Sequence, residues 1–304
     1  MILVHEESVE KEDDMKGHKT ATLKSDGCIR QKNGDLFSVR LHIVGGRIEG
    51  YQLSKLQEIS DKYGRGYIHI TTRQGVEIPY VHIEDLDRLE EELREVGLEI
   101  GVAGHCVRTI VACQGRVCPH GIIDTQELAS RLDKEFYGRG GLPNKLKISI
   151  AGCPNSCAKP QENDIGIMGV ARKKFTEELC MLCGLCAESC PVNAIEVTDK
   201  GLKYDEKKCI GCGRCGSSCP DCAWDNDEKG YKVFMGGKMG RNPRLGVVLF
   251  EYVDDINELF RIIEGLIEIY KEEGKEGERF RDTMDRLGVD HIRNRVAHGL
   301  ERCR

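Results

Sequence analysis

Apolar and polar positions alternate with a period of two over Leu36 to Val44 (LFSVRLHIV), which predicts a strand with one buried face. Gly45-Gly46 then predicts a turn, and Tyr51 to Tyr63 an amphipathic helix. A strand follows over Gly66 to Ile70, and Gly75 to Ile83 (GVEIPYVHI) reads as a strand pair or one bent strand. Between Ile83 and Val96 the period changes to that of a helix, with Leu86, Leu89 and Leu93 on one face. A second unit starts near Gly101, with a β-run Val107 to Ala112, a helix Thr125 to Phe136 and a short strand Lys145 to Ile150 that ends at Gly152. From Glu177 to Cys222 periodicity gives way to dense Cys, Gly and Pro in two similar halves, the pattern of an inserted repeat module. Periodicity then resumes as a strand over Leu245 to Tyr252 and an apolar-faced helix over Ile256 to Tyr270, and Lys271 to Arg304 is charged and helical in part. The fold class is α+β.

A chain of 304 residues is long enough for two or three domains. Its 51 acidic and 45 basic residues are mixed along the chain and give a net charge of -6, which excludes a nucleic-acid surface built on overall charge. Any basic site must be local. Met1 to Gly17 has no apolar core of signal-peptide length and no stretch reaches 18 apolar residues, so the expectation is a cytoplasmic protein without membrane insertion.

The 16 cysteines change this picture most. Cys180, Cys183 and Cys186 with Cys190-Pro191, then Cys209, Cys212 and Cys215 with Cys219-Pro220, repeat the C-x2-C-x2-C-x3-C-P run of bacterial ferredoxins that bind two 4Fe-4S clusters. Two full runs with trailing prolines set aside both a disulfide scaffold and a zinc site. In that arrangement the fourth cysteine crosses over. Cys190 is expected with Cys209, Cys212 and Cys215, and Cys219 with Cys180, Cys183 and Cys186. Cys28, Cys106, Cys222 and Cys303 receive no role.

A second set stands outside the insert: Cys113 and Cys118 at C-x4-C spacing, and Cys153 and Cys157 at C-x3-C spacing, each pair at a strand end before a Gly/Pro-rich turn. Four thiolates suit one more 4Fe-4S cluster, although by spacing alone they could equally be zinc ligands or core cysteines.

Around these cysteines the chain resembles the siroheme-containing nitrite and sulfite reductases, in particular the small anaerobic, dissimilatory-type sulfite reductase subunits with an inserted two-cluster ferredoxin. The carriers are HITTRQG from His69, ACQGRVCPHG from Ala112, Lys145-Leu146-Lys147-Ile148 running into Gly152-Cys153-Pro154-Asn155-Ser156-Cys157, and Gly277-Glu278-Arg279-Phe280. The resemblance implies that Cys113, Cys118, Cys153 and Cys157 hold a third 4Fe-4S cluster, with Cys157 bridging to siroheme iron and Asn155 and Arg73 beside the cofactor. It also implies that Arg40, Arg73, Arg108, Lys145 and Lys147 contact substrate and heme carboxylates. Guanidinium forks suit such oxyanions, and lysines can donate protons to a departing oxygen. His69, His105 and His120 are expected to be structural.

The expected domains are a leader over 1–20, a ferredoxin-like half-domain over 21–100, a siroheme and 4Fe-4S domain over 101–174 and 223–275, the ferredoxin insert over 175–222, and a helical tail over 276–304. The expected activity is six-electron reduction of sulfite to sulfide. Nitrite is the rival substrate, and a non-catalytic iron–sulfur electron carrier the rival of another class. No glycine-rich stretch has the strand-to-helix context of a flavin or nicotinamide site, so electrons are expected from an external ferredoxin or donor subunit. Longer reductases carry two copies of the α+β repeat and this chain carries one, which implies a homodimer, a higher oligomer or a partner subunit to complete the heme pocket.

Overall fold

A computed structural model describes residues 27–32, 34–225 and 228–301. The leader over 1–20 and Cys303 lie outside the described residues.

In the first unit β1 (Cys28–Arg30), β2 (Leu36–Arg40), β3 (His69–Ile70) and β4 (Val76–His82) form an antiparallel sheet in the order β1-β2-β4-β3. Phe37 and Val39 of β2, with Leu41 beyond it, turn inward as the alternation predicts. They meet Leu56, Ile59 and Tyr63 of α1 (Gly50–Tyr63) and Leu86, Leu89 and Leu93 of α2 (Leu86–Arg94). β4 is the bent strand. Its pairing with β2 shifts register between Phe37/Val81 and Val39/Ile78, where Pro79 has no amide to donate and Tyr80 has φ 66°. Two strands are shorter than the sequence predicts. β2 stops at Arg40, beyond which Leu41 bridges to Ile100 and the His42 amide donates to the Glu99 carbonyl at 2.9 Å, and the strand read from Gly66, which has φ 71°, begins only at His69.

The second unit is a five-stranded sheet in the order β13-β12-β7-β6-β5. β5 (Val111–Ala112), β6 (Ile148–Ala151) and β7 (Ile165–Ala171) run parallel, whereas β7 pairs antiparallel with β12 (Lys229–Met235), and β12 with β13 (Val247–Val253). The run read over Val107 to Ala112 is a strand only at its end, joined earlier by a bridge from Val107 to Leu146. Helix α3 (Thr125–Phe136) starts where Asp124 accepts from the amides of Gln126 and Glu127 at 3.2 and 3.1 Å. Its Leu128, Leu132 and Phe136 share the largest core with the β-sheet and with helix Ile256–Glu273, which begins at a similar cap on Asp255.

Between β7 and β12 the chain leaves as a lobe over residues 174–225. Its neck is β8 (Lys174–Phe175) paired with β11 (Trp224–Asp225). Within it lie a one-turn helix α4 (Leu185–Glu188), the hairpin β9 (Ile195–Thr198) and β10 (Gly201–Tyr204), and a second one-turn helix α5 (Arg214–Ser217). After helix Ile256–Glu273, which is α6, the chain closes with α7 (Phe280–Leu287) and α8 (Val289–Glu301). Among the described residues no helix is long and apolar enough to cross a membrane.

Candidate functional site

Two cavities lie beside each other where the two units meet. The smaller, about 280 Å³, is lined by Arg40, Arg73, Arg108, Lys145 and Lys147 together with Thr71, Thr72 and Thr109. All five cations singled out in the sequence therefore face one space. Lys145 and Lys147 reach it because Leu146 between them is fully buried, which turns both neighbours to the other side.

Each cation is held differently. Arg40 is clamped by Glu77 Oε1, which accepts from Nε at 2.8 Å and from Nη2 at 2.6 Å. Arg73 donates to Asn163 Oδ1 and to the Thr109 carbonyl at 3.1 Å, and its burial lowers its pKa to about 10, so the guanidinium stays charged at neutral pH. Arg108 donates to the carbonyls of Val102 and Gly104 at 3.0 and 3.1 Å, and its Nε is buried with no partner. Burial, with Arg279 and Arg108 nearby, pushes the Lys145 ammonium down. Burial and then the charges of Arg73, Arg279 and Lys145 bring Lys147 down to about 8.

Besides Glu77, a second carboxylate answers this charge from behind. Asp164, fully buried, takes both 2.9 Å contacts from Arg279 Nη2 and accepts from the Lys147 amide at 3.0 Å. Burial pushes its carboxyl up, while Arg279 pulls it back towards the ionised form. With Glu77 on Arg40, two carboxylates thus answer a basic wall of Arg40, Arg73, Arg108, Lys145, Lys147 and Arg279, which keeps an excess of positive charge.

The larger cavity, about 1090 Å³, is lined by Cys113, Cys118, Cys153 and Cys157 as well as Asn155. Arg73 belongs to the smaller cavity, whereas the next residue, Gln74, belongs to the larger. Gln74 has φ 61°, which sends the two consecutive side chains apart, and its amide group exchanges hydrogen bonds with the Ala112 backbone at 2.8 and 3.2 Å. The two cysteine loops are tied together by the Gly152 amide, which donates to Cys113 Sγ at 3.1 Å. A side chain at Gly152 would crowd Gly115 Cα at 3.1 Å, so glycine is what lets the loops approach this closely.

The family models match this architecture in two parts. Residues 103–302 match the nitrite and sulphite reductase 4Fe-4S domain, and residues 29–96 the nitrite/sulfite reductase ferredoxin-like half domain. The chain belongs to the nitrite and sulphite reductase family. It is 36% identical to an anaerobic sulfite reductase subunit of Salmonella typhimurium strain LT2, over 83% of this chain and 79% of that one. It is 38% identical to the coenzyme F420-dependent sulfite reductase of Methanocaldococcus jannaschii over 86% of this chain, but that match spans only 42% of the relative's length. The fold is that of the solved dissimilatory sulfite reductase I, at TM-score 0.72 and 21% identity over 87% of this chain and 69% of that one.

Away from these two cavities, the lobe over 174–225 carries two further small ones. Cys180, Cys183, Cys186 and Cys219 line one, and Cys190, Cys209, Cys212 and Cys215 line the other. Trp224 Nε1, also at the first of these cavities, is buried beside the Cys186 thiol with no oxygen or nitrogen to accept from it. Among the described residues no three His, Cys, Asp or Glu side chains are grouped as one metal ion would need. The four-cysteine sets line cavities instead, and a cluster carrying sulfides would give the Trp224 N–H an acceptor, so the residues present fit a cubane. The orphaned Arg108 Nε is likewise suited to an anion in the cavity of cations.

Some assignments meet other surroundings, and some residues were not singled out at all. His69, His105 and His120 are exposed, as is Cys222, while Cys28 and Cys106 are buried. Sequence reasoning missed Asp164 and Lys173, whose Nζ donates to Cys209 Sγ at 2.8 Å, and used Gln74 and Arg279 only as parts of motifs. For Arg279 the GERF motif was the available signal, since its charge partner lies 115 residues away.

Proposed function

We propose that the chain is the siroheme and iron–sulfur subunit of a sulfite reductase. The observation that carries this reading is the convergence of Arg40, Arg73, Arg108, Lys145 and Lys147 on one cavity beside the cavity of Cys113, Cys118, Cys153 and Cys157. Those four cysteines would hold a 4Fe-4S cluster, with Cys157 also reaching siroheme iron, and the two quartets of the lobe would hold two more clusters. When bound, these groups supply the electrons and the iron at which the oxyanion is reduced.

The chain's own residues supply the rest. The reaction SO3²⁻ + 6 e⁻ + 7 H⁺ → HS⁻ + 3 H2O starts from a small dianion and needs protons as each oxygen departs. Arg73 and Arg108, both charged at neutral pH and anchored by backbone carbonyls, hold the anion. Lys147, whose ammonium titrates at about 8, can release a proton near neutral pH, which is where a general acid works best. Asn155 faces the cofactor cavity. Because the chain carries one ferredoxin-like half domain, a second copy or a partner subunit would close the site, and a ferredoxin or other electron-donating protein would feed the lobe.

An anaerobic absorption spectrum with iron quantitation, followed by sulfite and then nitrite, tests this. Siroheme bands that shift with sulfite, and iron equal to three cubanes plus one heme, are expected. A larger response to nitrite would move the substrate. Cluster absorbance with no heme bands, after expression with siroheme supplied, would reduce the chain to an electron carrier.

A further inference from the structure

The two quartets of the lobe are built from repeated sequence but sit in unlike surroundings. The cavity of Cys190, Cys209, Cys212 and Cys215 is lined by Lys173 and Arg214 and by no carboxylate. That of Cys180, Cys183, Cys186 and Cys219 is lined by Asp221 and by no cation. Lys173 Nζ donates to Cys209 Sγ at 2.8 Å. Neutral donors roughly balance: Gly211 donates to Cys209 Sγ and Ala194 to Cys190 Sγ, both at 3.3 Å, while the other quartet receives the Ala223 amide at Cys219 Sγ, also at 3.3 Å, and has the Trp224 indole N–H at its cavity, so the difference lies in the charges.

The quartets also differ in place. The Ala171 amide, at the end of β7, donates to the Gly211 carbonyl at 2.9 Å, and a side chain at Gly211 would come within 3.1 Å of Val170 Cβ. The Cys209 loop is therefore pressed against the central sheet, and Lys173 leaves that sheet two residues beyond β7. At the other quartet Cys183 is exposed, and so is Met181, at 70%. One quartet faces the core and the other faces solvent.

From this juxtaposition we infer that Lys173 is a positioning residue for electron flow, making the core-facing quartet the easier of the two to reduce. The inference rests on the reading that both quartets hold 4Fe-4S clusters. Positive charge and hydrogen bonds at cluster sulfurs stabilise the reduced, more negative form. A one-electron donor protein that loses an electron at the exposed quartet thereby finds a downhill acceptor at the core-facing one, one electron per transfer.

The test is an EPR-monitored redox titration of the full-length, cluster-loaded protein, with iron counted first. Wild type should show two interacting clusters of different potential. Lys173→Met should shift the reduction equilibrium of the higher-potential cluster about tenfold towards oxidised, ~59 mV for a one-electron couple, and leave the lower in place. Asp221→Asn should raise the lower alone. An unmoved higher potential in Lys173→Met, or equal shifts of both, overturns the assignment. If Lys173→Met loses iron, Lys173→Arg and Asp221→Asn decide: the charge-keeping variant should retain iron and the higher potential, and a higher potential that moves in Asp221→Asn overturns the asymmetry. A wild-type protein with no interacting pair would sink the cluster reading itself, a result distinct from clusters that are present but insensitive to Lys173.

Discussion

The sheet core and the cysteine lobe are held together by different physics. In the core, Leu132, Phe136, Ile148, Ile167, Ile262, Leu266 and Tyr270 are at most 1% exposed and belong to one continuous apolar cluster. In the lobe the buried cluster is Cys186, Ile195, Cys215 and Trp224, half of it cysteine, with two helices of four residues each. Burial of this extent stabilises the core on its own, whereas a cluster of four residues falls far short of the ordering entropy of some fifty. The lobe must borrow its stability from whatever its thiolates bind. On the proposed reading, the difference separates a scaffold that folds by burial from a lobe whose fold would depend on iron.

Iron removal should therefore unfold the lobe and spare the core. Trp224 is the chain's one tryptophan and lies in the lobe's buried cluster, so its fluorescence reports the lobe while far-ultraviolet dichroism reports the core helices. Chelation under reducing conditions should shift Trp224 emission to that of a solvent-exposed indole and leave the helical signal within a tenth of its starting value. Loss of both signals together would show that the core depends on iron as well.

A smaller effect, confined to the scaffold, is expected at Asp164. Asp164→Ala leaves Arg279 without its carboxylate and the Lys147 amide without its acceptor in a fully buried place. Breaking a buried pair from one side costs about 3 to 5 kcal/mol. Denaturant unfolding followed by dichroism should lose that much, while Trp224 emission in the iron-loaded protein stays where it was. A loss under 1 kcal/mol would mean that Arg279 finds solvent readily.

The contrast also explains what could be read without a structure. Helix α3 matches its prediction from Thr125 to Phe136 because its start depends on Asp124, a local cap. Strand β7, IGIMGVA, went unread although it lies at the centre of the sheet. It is buried on both faces, so it shows no alternation, and Gly166 and Gly169 lower its apparent strand character. Those glycines are required by packing at a distance: a side chain at Gly166 would strike the Pro160 carbonyl oxygen at 2.3 Å, and one at Gly169 the Gly152 carbonyl oxygen at 2.5 Å. The cations of the small cavity were named from a resemblance. Their shared wall depends on Asp164 and Arg279, which no local spacing brings together. Local chemistry such as caps and cysteine runs is legible, and long-range charge pairing is not.

At Lys147 the burial supplied by the scaffold acts on a charge that the proposed site would use. Burial, Arg73, Arg279 and Lys145 all oppose its ammonium, Asp164 favours it, and the result is titration at about 8 against 10.5 for a free lysine. Between those two values the unfolded chain holds a proton that the folded chain lacks, so this group makes stability rise as pH increases from about 8 to 10.5. Anion binding has the opposite dependence, because the site loses a positive charge on the way up. Sulfate keeps its charge over this range and serves as the probe. Its affinity should fall as pH passes about 8, approaching tenfold per pH unit if one proton is linked, and Lys147→Arg should hold the affinity level to higher pH. Calorimetric titration at several pH values checks this, and an equal decline in wild type and Lys147→Arg would transfer the pH dependence to another group in the cavity, Lys145 being the next candidate.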